Sequence, residues 1–178
     1  MKNIEIKARI DGLDAARDTA VRLGARARGE LRQADTFFPA PRGRLKLRCE
    51  GQDGSERAEL IAYRRTDTAG PKASDYHLVP VPQPEALRQV LAQALGPGLE
   101  VRKRRELWLL GSTRIHLDTV EGLGCFLELE VAVGPDGNEA DAETLARRFL
   151  GEFGVRPHDL VAGAYVDLLA AAGGASPA

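Results

Sequence analysis

Aromatic side chains are scarce: Phe, Trp and Tyr make up 5% of the 178 residues. Few platforms remain on which unpaired bases could stack, which disfavours a single-stranded nucleic-acid binder. A surplus of either charge is also missing. The 25 Lys and Arg stand against 26 Asp and Glu, a formal net charge of -1. A nucleic-acid or anionic-membrane binder would carry a basic excess. Only two cysteines occur, Cys49 and Cys125, far apart and without a CxxC pair or a neighbouring histidine. That pattern argues against a zinc site and predicts free thiols, as in a reducing cytosol. No apolar run approaches the ~20 residues of a membrane span, and the first residues show no signal-peptide pattern. The expectation is a cytoplasmic protein without nucleic-acid or membrane partners.

What is abundant is alternation. In NIEIKARI, residues 3–10, Ile4, Ile6, Ala8 and Ile10 alternate with Asn3, Glu5, Lys7 and Arg9. Successive strand side chains point to opposite faces, so this reads as a β-strand with one apolar and one charged face. DGLDAARDTAVRLG reads as a helix stopped at Gly24. RQADTFFPA reads as a strand ended by Pro39 and Pro41. RGRLKLRCE alternates again, EGQDGSE is a hairpin turn and ELIAYRR another strand. DYHLVPV reads as a short strand which its prolines place at a sheet edge. QPEALRQVLAQALG is a helix with Pro84 at its start and a Leu87, Val90, Leu91, Leu95 stripe. Three strands follow, LEVRKRRELWLL, STRIHLDTV and CFLELEVAV, the last with a bulge at Gly124. After the loop GPDGNEADAE come the helix AETLARRFLGEF, a short helix within LVAGAYVDLLAAA and a frayed tail over 173–178.

About eight strands joined mostly by short turns imply antiparallel pairing. The predicted fold is an α+β domain over residues 1–172, an antiparallel sheet or barrel with helices packed outside. Trp108 and Phe126 are expected beneath those helices.

The polar faces are sorted by sign. RLKLR and RKRR are purely basic and FLELE is purely acidic. Like charges two residues apart on one strand face repel, so a neutralising partner is expected: a polyanion beside the basic strands, a divalent cation beside the acidic one. If the eight strands close with the charged faces inward, the lumen holds a basic and a carboxylate wall. Arg forks and Lys ammoniums suit phosphate oxygens, and carboxylates suit Mg2+ or Mn2+. A short polyphosphate needs both. The alternative is that these are ordinary solvated faces.

These residues resemble a known family. NIEIKAR is similar to the ExExK signature of the CYTH superfamily, the triphosphate tunnel metalloenzymes. The likeness continues through QADTFF, RLKLR, LIAYRR, GPKAS, VRKRRELW and HLDTVEGLGCFLELE, nearly all of residues 3–133, and is nearest to class IV adenylyl cyclase-like members. It implies an eight-stranded tunnel, a small-molecule triphosphate substrate, Mg2+ or Mn2+, and a homodimer as the assembly. It assigns Glu5, Asp118, Glu128 and Glu130 to metal. It assigns Lys7, Lys46, Arg48, Arg65, Lys103, Arg105 and Arg114 to phosphate, with Lys7, Asp118 and Arg105 as catalytic residues. Arg9, Arg44 and Lys72 stand evenly between phosphate binding and surface charge, and His116 reads as a structural hydrogen-bonder. Asn3 replaces the first signature Glu, and Asp75 and His77 stand where relatives have Arg and Glu.

The expected activity is hydrolysis of tripolyphosphate or an organic triphosphate by water attack, since no Ser or Cys sits beside a plausible His. The alternatives are cyclisation of ATP to cyclic AMP and pyrophosphate, and a non-catalytic module that binds polyphosphate or nucleotide.

Overall fold

The alternating segments close on themselves. The computed structural model describes residues 2–134 and 137–173. In chain order it contains β1 (Lys2–Ile10), α1 (Asp14–Arg22), β2 (Arg26–Phe38), β3 (Arg44–Gln52), β4 (Ser55–Arg65) and β5 (Lys72–Pro80). Then come α2 (Pro84–Leu95), β6 (Leu99–Leu110), β7 (Thr113–Val120), β8 (Gly124–Ala132), α3 (Glu139–Glu152), a 3-10 turn at Pro157–Asp159 and α4 (Tyr165–Ala172). Every strand pairs antiparallel, in a closed barrel ordered β1-β5-β4-β3-β2-β6-β7-β8.

The apolar parity of β1, β7 and β8 faces outward. Ile4, Ile6, Ile115, Leu117, Leu127, Leu129 and Val131 form one core with Ala16 of α1 and Ala142, Ala146, Phe149 and Leu150 of α3. Trp108 packs at its margin, as expected. A second core closes one end of the barrel. There Val101, Val120 and Phe126 meet Ala164, Tyr165 and Val166. Phe126 shares the parity of Glu128 and Glu130, so it sits under α4 at the tunnel end and not on the outer wall. The β3–β4 hairpin turns through Asp53 and Gly54, both at positive φ (49° and 81°), the Asp-Gly chemistry of a tight two-residue turn.

Several expectations change. β2 begins six residues earlier than RQADTFF suggests. Its register against β6 slips between Ala27 and Glu30, beside Gly29 at φ 100°, and the slip breaks the alternation. β5 is central only in part: Lys72–Asp75 pair with β1, and Ser74–Pro80 pair with β4. Among the described residues, the strand beyond Asp75 has a ladder partner on the β4 side alone, which is where Pro80 is tolerated. Gly124 is the first residue of β8, facing Val120 across the β7–β8 turn, and not a bulge. The α2 stripe is only partly used: no α2 residue is buried, and Val90 is 60% exposed. Pro135, Asp136 and residues 174–178 of the predicted tail lie outside the described residues. No helix among the described residues is long and apolar enough to cross a membrane.

Candidate functional site

The inward parity of the strands lines a cavity of about 340 Å³. Its wall includes Glu5, Lys7, Lys46, Arg48, Arg65, Lys103, Arg105, Arg114, Glu128 and Glu130. These are all of the residues assigned above to metal or phosphate except Asp118, which lies on the inward parity of β7 but is fully buried. The RKRR ambiguity resolves by burial: Lys103 and Arg105 are buried, while Arg102 and Arg104 are exposed. Arg9 and Arg44 lie off this cavity. Arg9 lies over the Phe126 ring at 4.7 Å, and Arg44 pairs with Asp67 and Asp167. Lys72 is buried and donates to the carbonyls of Thr68, Val161 and Ala162. Asp75 and His77 are exposed on the outward parity of β5, so their departure from the family pattern leaves the lumen unchanged.

Strand order accounts for the charge sorting. The basic strands β3 and β6 flank β2, and β2 presents Asp35 between them. Arg48 donates Nε and Nη2 to Asp35 at 2.7 Å each, and Lys46 adds a bond at 2.9 Å. Burial alone would raise the Asp35 carboxyl, but Arg48 and Lys46 hold it well below the usual carboxylate range. Asp118 plays the same part on the other side. It accepts from Arg105 Nε at 2.7 Å and Nη2 at 2.6 Å, from Lys103 at 3.3 Å and from the Tyr165 hydroxyl at 2.9 Å. Against the pull of burial, Arg105 and Lys103 keep it ionised. Its oxygens are thus taken up by side chains.

Burial depresses the amines. Lys103 falls to about 7, chiefly by desolvation and then by repulsion from Arg105. Lys46 falls to about 8 by desolvation and the nearness of Arg48. Lys7 also falls by burial; its ammonium lies 3.8 Å from the Tyr165 ring centre and 3.8 Å from Glu128. Tyr165 therefore plugs one end of the lumen from α4, a placement that no strand pattern announces. Gln33, Glu50 and Arg57 form a further polar group toward the other mouth.

The acidic side gathers on β1, β7 and β8. Register sets Glu5 opposite Glu130, and His116 opposite Glu128. One ligand atom each from His116, Glu128 and Glu130 lies within 4.8 Å of the others. Glu5 is pushed up by burial and then by the charges of Glu128 and Glu130, the repulsion that a divalent cation would relieve. His116 is not the hydrogen-bonder expected. Its Nδ1 is buried without a hydrogen-bond partner, 3.9 Å from Glu130, and desolvation lowers the ring to about 4, so it is neutral at pH 7. Asn3 is buried beside Arg114; with the amide turned so that both ends are satisfied, its oxygen accepts from Arg114 at 2.9 Å. These donors fit a divalent metal, with Glu5, Glu128, Glu130 and His116 as the residues able to hold it.

Comparisons with known proteins place this arrangement. Among solved structures, a Pyrococcus horikoshii protein is similar at TM-score 0.80 and 22% identity, over 93% of this chain and 98% of that one. A protein named as a candidate adenylate cyclase from Vibrio parahaemolyticus matches at TM-score 0.78 and 19% identity, over 94% and 97%. A candidate adenylyl cyclase from Hippeastrum, described as having a dominant triphosphatase activity, matches at TM-score 0.61 and 16% identity, over 98% and 97%. At these identities the likeness shows the fold. A search of the curated proteins finds no match. The CYTH domain family model matches residues 1–165, the whole barrel and its first three helices, and the chain belongs to the CYTH domain family.

Proposed function

We propose that this chain is a divalent-metal-dependent phosphohydrolase that binds and cleaves a triphosphate in its lumen. The observation that carries this reading is the meeting, in one small cavity, of paired guanidinium forks with a His-Glu-Glu group. Arg48 and Arg105 are each gripped on the Nε–Nη2 edge by a carboxylate. Neither Nη1 has a recorded partner among the described residues, so that atom is available to a phosphate oxygen. Lys7, Lys46 and Lys103 add charge that phosphate would stabilise, and Arg65 and Arg114 supply further donors near Glu5 and Glu130. Asp118 acts as a positioning residue that fixes the Arg105 fork, and donors held this way stabilise charge on the transferred group without reorganising. Bound at the acidic end, Mg2+ or Mn2+ would neutralise phosphoryl oxygens and lower the pKa of an attacking water. The cavity wall offers no activated nucleophile of its own. Ser74, its serine, lies beside Glu5.

Cyclisation of ATP would use the same phosphate contacts and would also need a purine slot. The aromatic rings beside the basic wall are already occupied: Tyr165 faces the Lys7 ammonium at 3.8 Å, and Phe37 and Tyr63 face the Lys46 ammonium at 5.4 and 5.7 Å, which favours hydrolysis. The test is ³¹P NMR of tripolyphosphate and, separately, ATP, each with Mg2+ or Mn2+. Orthophosphate plus pyrophosphate from tripolyphosphate is the expected result. A cyclic phosphodiester signal from ATP would assign the chain to the cyclases. Tight tripolyphosphate binding with no turnover in either metal would make it a binding module. Glu128→Gln should abolish turnover in a folded protein; full activity there would sink the metal assignment.

A further inference from the structure

Burying an imidazole nitrogen without a hydrogen bond is costly. His116 carries that cost: its side chain is 5% exposed, and Nδ1 finds no partner. The ring is held in place by its strand. β7 pairs with β6 on one side and β8 on the other, so residue 116 must face the lumen, directly opposite Glu128. The neighbour on the same face, Arg114, takes Glu130 through Nε and Nη2 and leaves the other Glu130 oxygen 3.9 Å from His116 Nδ1. That separation is too long for a hydrogen bond. One nitrogen of the His116 ring and one oxygen from each of Glu128 and Glu130 lie within 4.8 Å of one another. The amide oxygen of Asn3 is not part of this group, because Arg114 holds it.

We propose that His116 is a nitrogen ligand of the divalent cation. Its site is then built from one imidazole nitrogen and the carboxylates of Glu128 and Glu130, and selects a first-row transition ion over Mg2+. Imidazole suits the transition ions, whereas Mg2+ is bound through oxygen and retains its waters. This inference rests on the metal reading above and adds the donor type and the selectivity.

Pulsed EPR of the full-length protein titrated with Mn2+ alone tests it. The chain has three histidines, and the other two, His77 and His158, are exposed. The bound ion should show ¹⁴N modulation that becomes ¹⁵N modulation in protein made with ¹⁵N-histidine. The modulation should persist in the His77→Gln/His158→Gln double variant and under an excess of Mg2+. His116→Gln should remove it and weaken Mn2+ binding by at least about ten-fold, the lower end for loss even of an outer-shell partner. The double variant keeps the test decisive should His116→Gln fail to fold. Mn2+ bound with oxygen coupling alone, or nitrogen coupling lost in the double variant, overturns the inference and leaves the phosphohydrolase standing. Absence of any bound Mn2+ overturns both.

Discussion

Lys103 is an ammonium group 3% exposed, with one carboxylate at 3.3 Å. Its folded value near 7 lies below the ordinary 10.5. Between those values the unfolded chain holds a proton that the folded chain has released, so stability rises with pH through that window. Below pH 7 both states are protonated and the cost of burying the charge is present in full. The urea midpoint should therefore climb from pH 7 to pH 9. Lys103→Met should flatten the rise without abolishing it, because Lys46 and Lys72, each near 8, act with the same sign. Asp118 obeys the opposite logic. It is the shared counter-ion of Arg105 and Lys103, and removing one partner of a buried pair typically costs about 3–5 kcal/mol. Asp118→Asn should destabilise by that order in urea titrations. A loss under ~1 kcal/mol would mean that Glu128 alone can hold Arg105.

At the level of elements, the barrel rests on the outward faces of β1, β7 and β8 and on the two helices that cover them. Leu117 is fully buried there, and Leu117→Ala should cost about 2–5 kcal/mol with an unchanged urea slope. Val90 belongs to an equally regular stripe on α2 yet is 60% exposed, so Val90→Ala should stay within about 0.5 kcal/mol. The contrast shows what the sequence could and could not reveal. Period-2 alternation disclosed the strands and which side chains share a face, since geometry ties both to residue parity. The 3.6 period disclosed that α2 is amphipathic but not how deeply it docks. Alternation also failed where it was interrupted, at the Gly29 slip that hid the start of β2. The lumen residues Lys7, Arg105 and Glu128 were legible from motif and parity together. Asp35 sits in a quoted segment, but its partners could not be read from it, because only the β3-β2-β6 order puts Asp35 between two basic strands. Tyr165 was beyond reach for a related reason: nothing in an apolar C-terminal helix states which end of a barrel it will plug.

For the molecule as a whole, the decisive question is whether the charged lumen is a solvated wall or a binding site. The ion pairs that fill it answer one physical objection, since Asp35 and Asp118 already neutralise strands that looked unopposed. They also set the terms of binding. A polyphosphate entering the cavity must recruit donors that the carboxylates leave over, and must re-protonate Lys103 and Lys46 where these are neutral. Any ligand that binds the folded chain alone stabilises it by mass action, about 2.7 kcal/mol at a hundred times its dissociation constant. In a chain of this size each kcal/mol raises the melting temperature by about 2–4 °C. Tripolyphosphate at saturating concentration, with metal chelated to prevent turnover, should therefore raise the melting temperature by roughly 5–11 °C. The shift should survive moderate salt, because pairs inside the barrel are poorly screened. At pH 8 the binding heat should vary with the ionisation enthalpy of the buffer, since protons are taken up by the lumen lysines. Solvated strand faces would give neither effect. A melting temperature unmoved by tripolyphosphate at pH 7, in a sample whose fold is intact by circular dichroism, would remove the substrate class on which the functional reading depends.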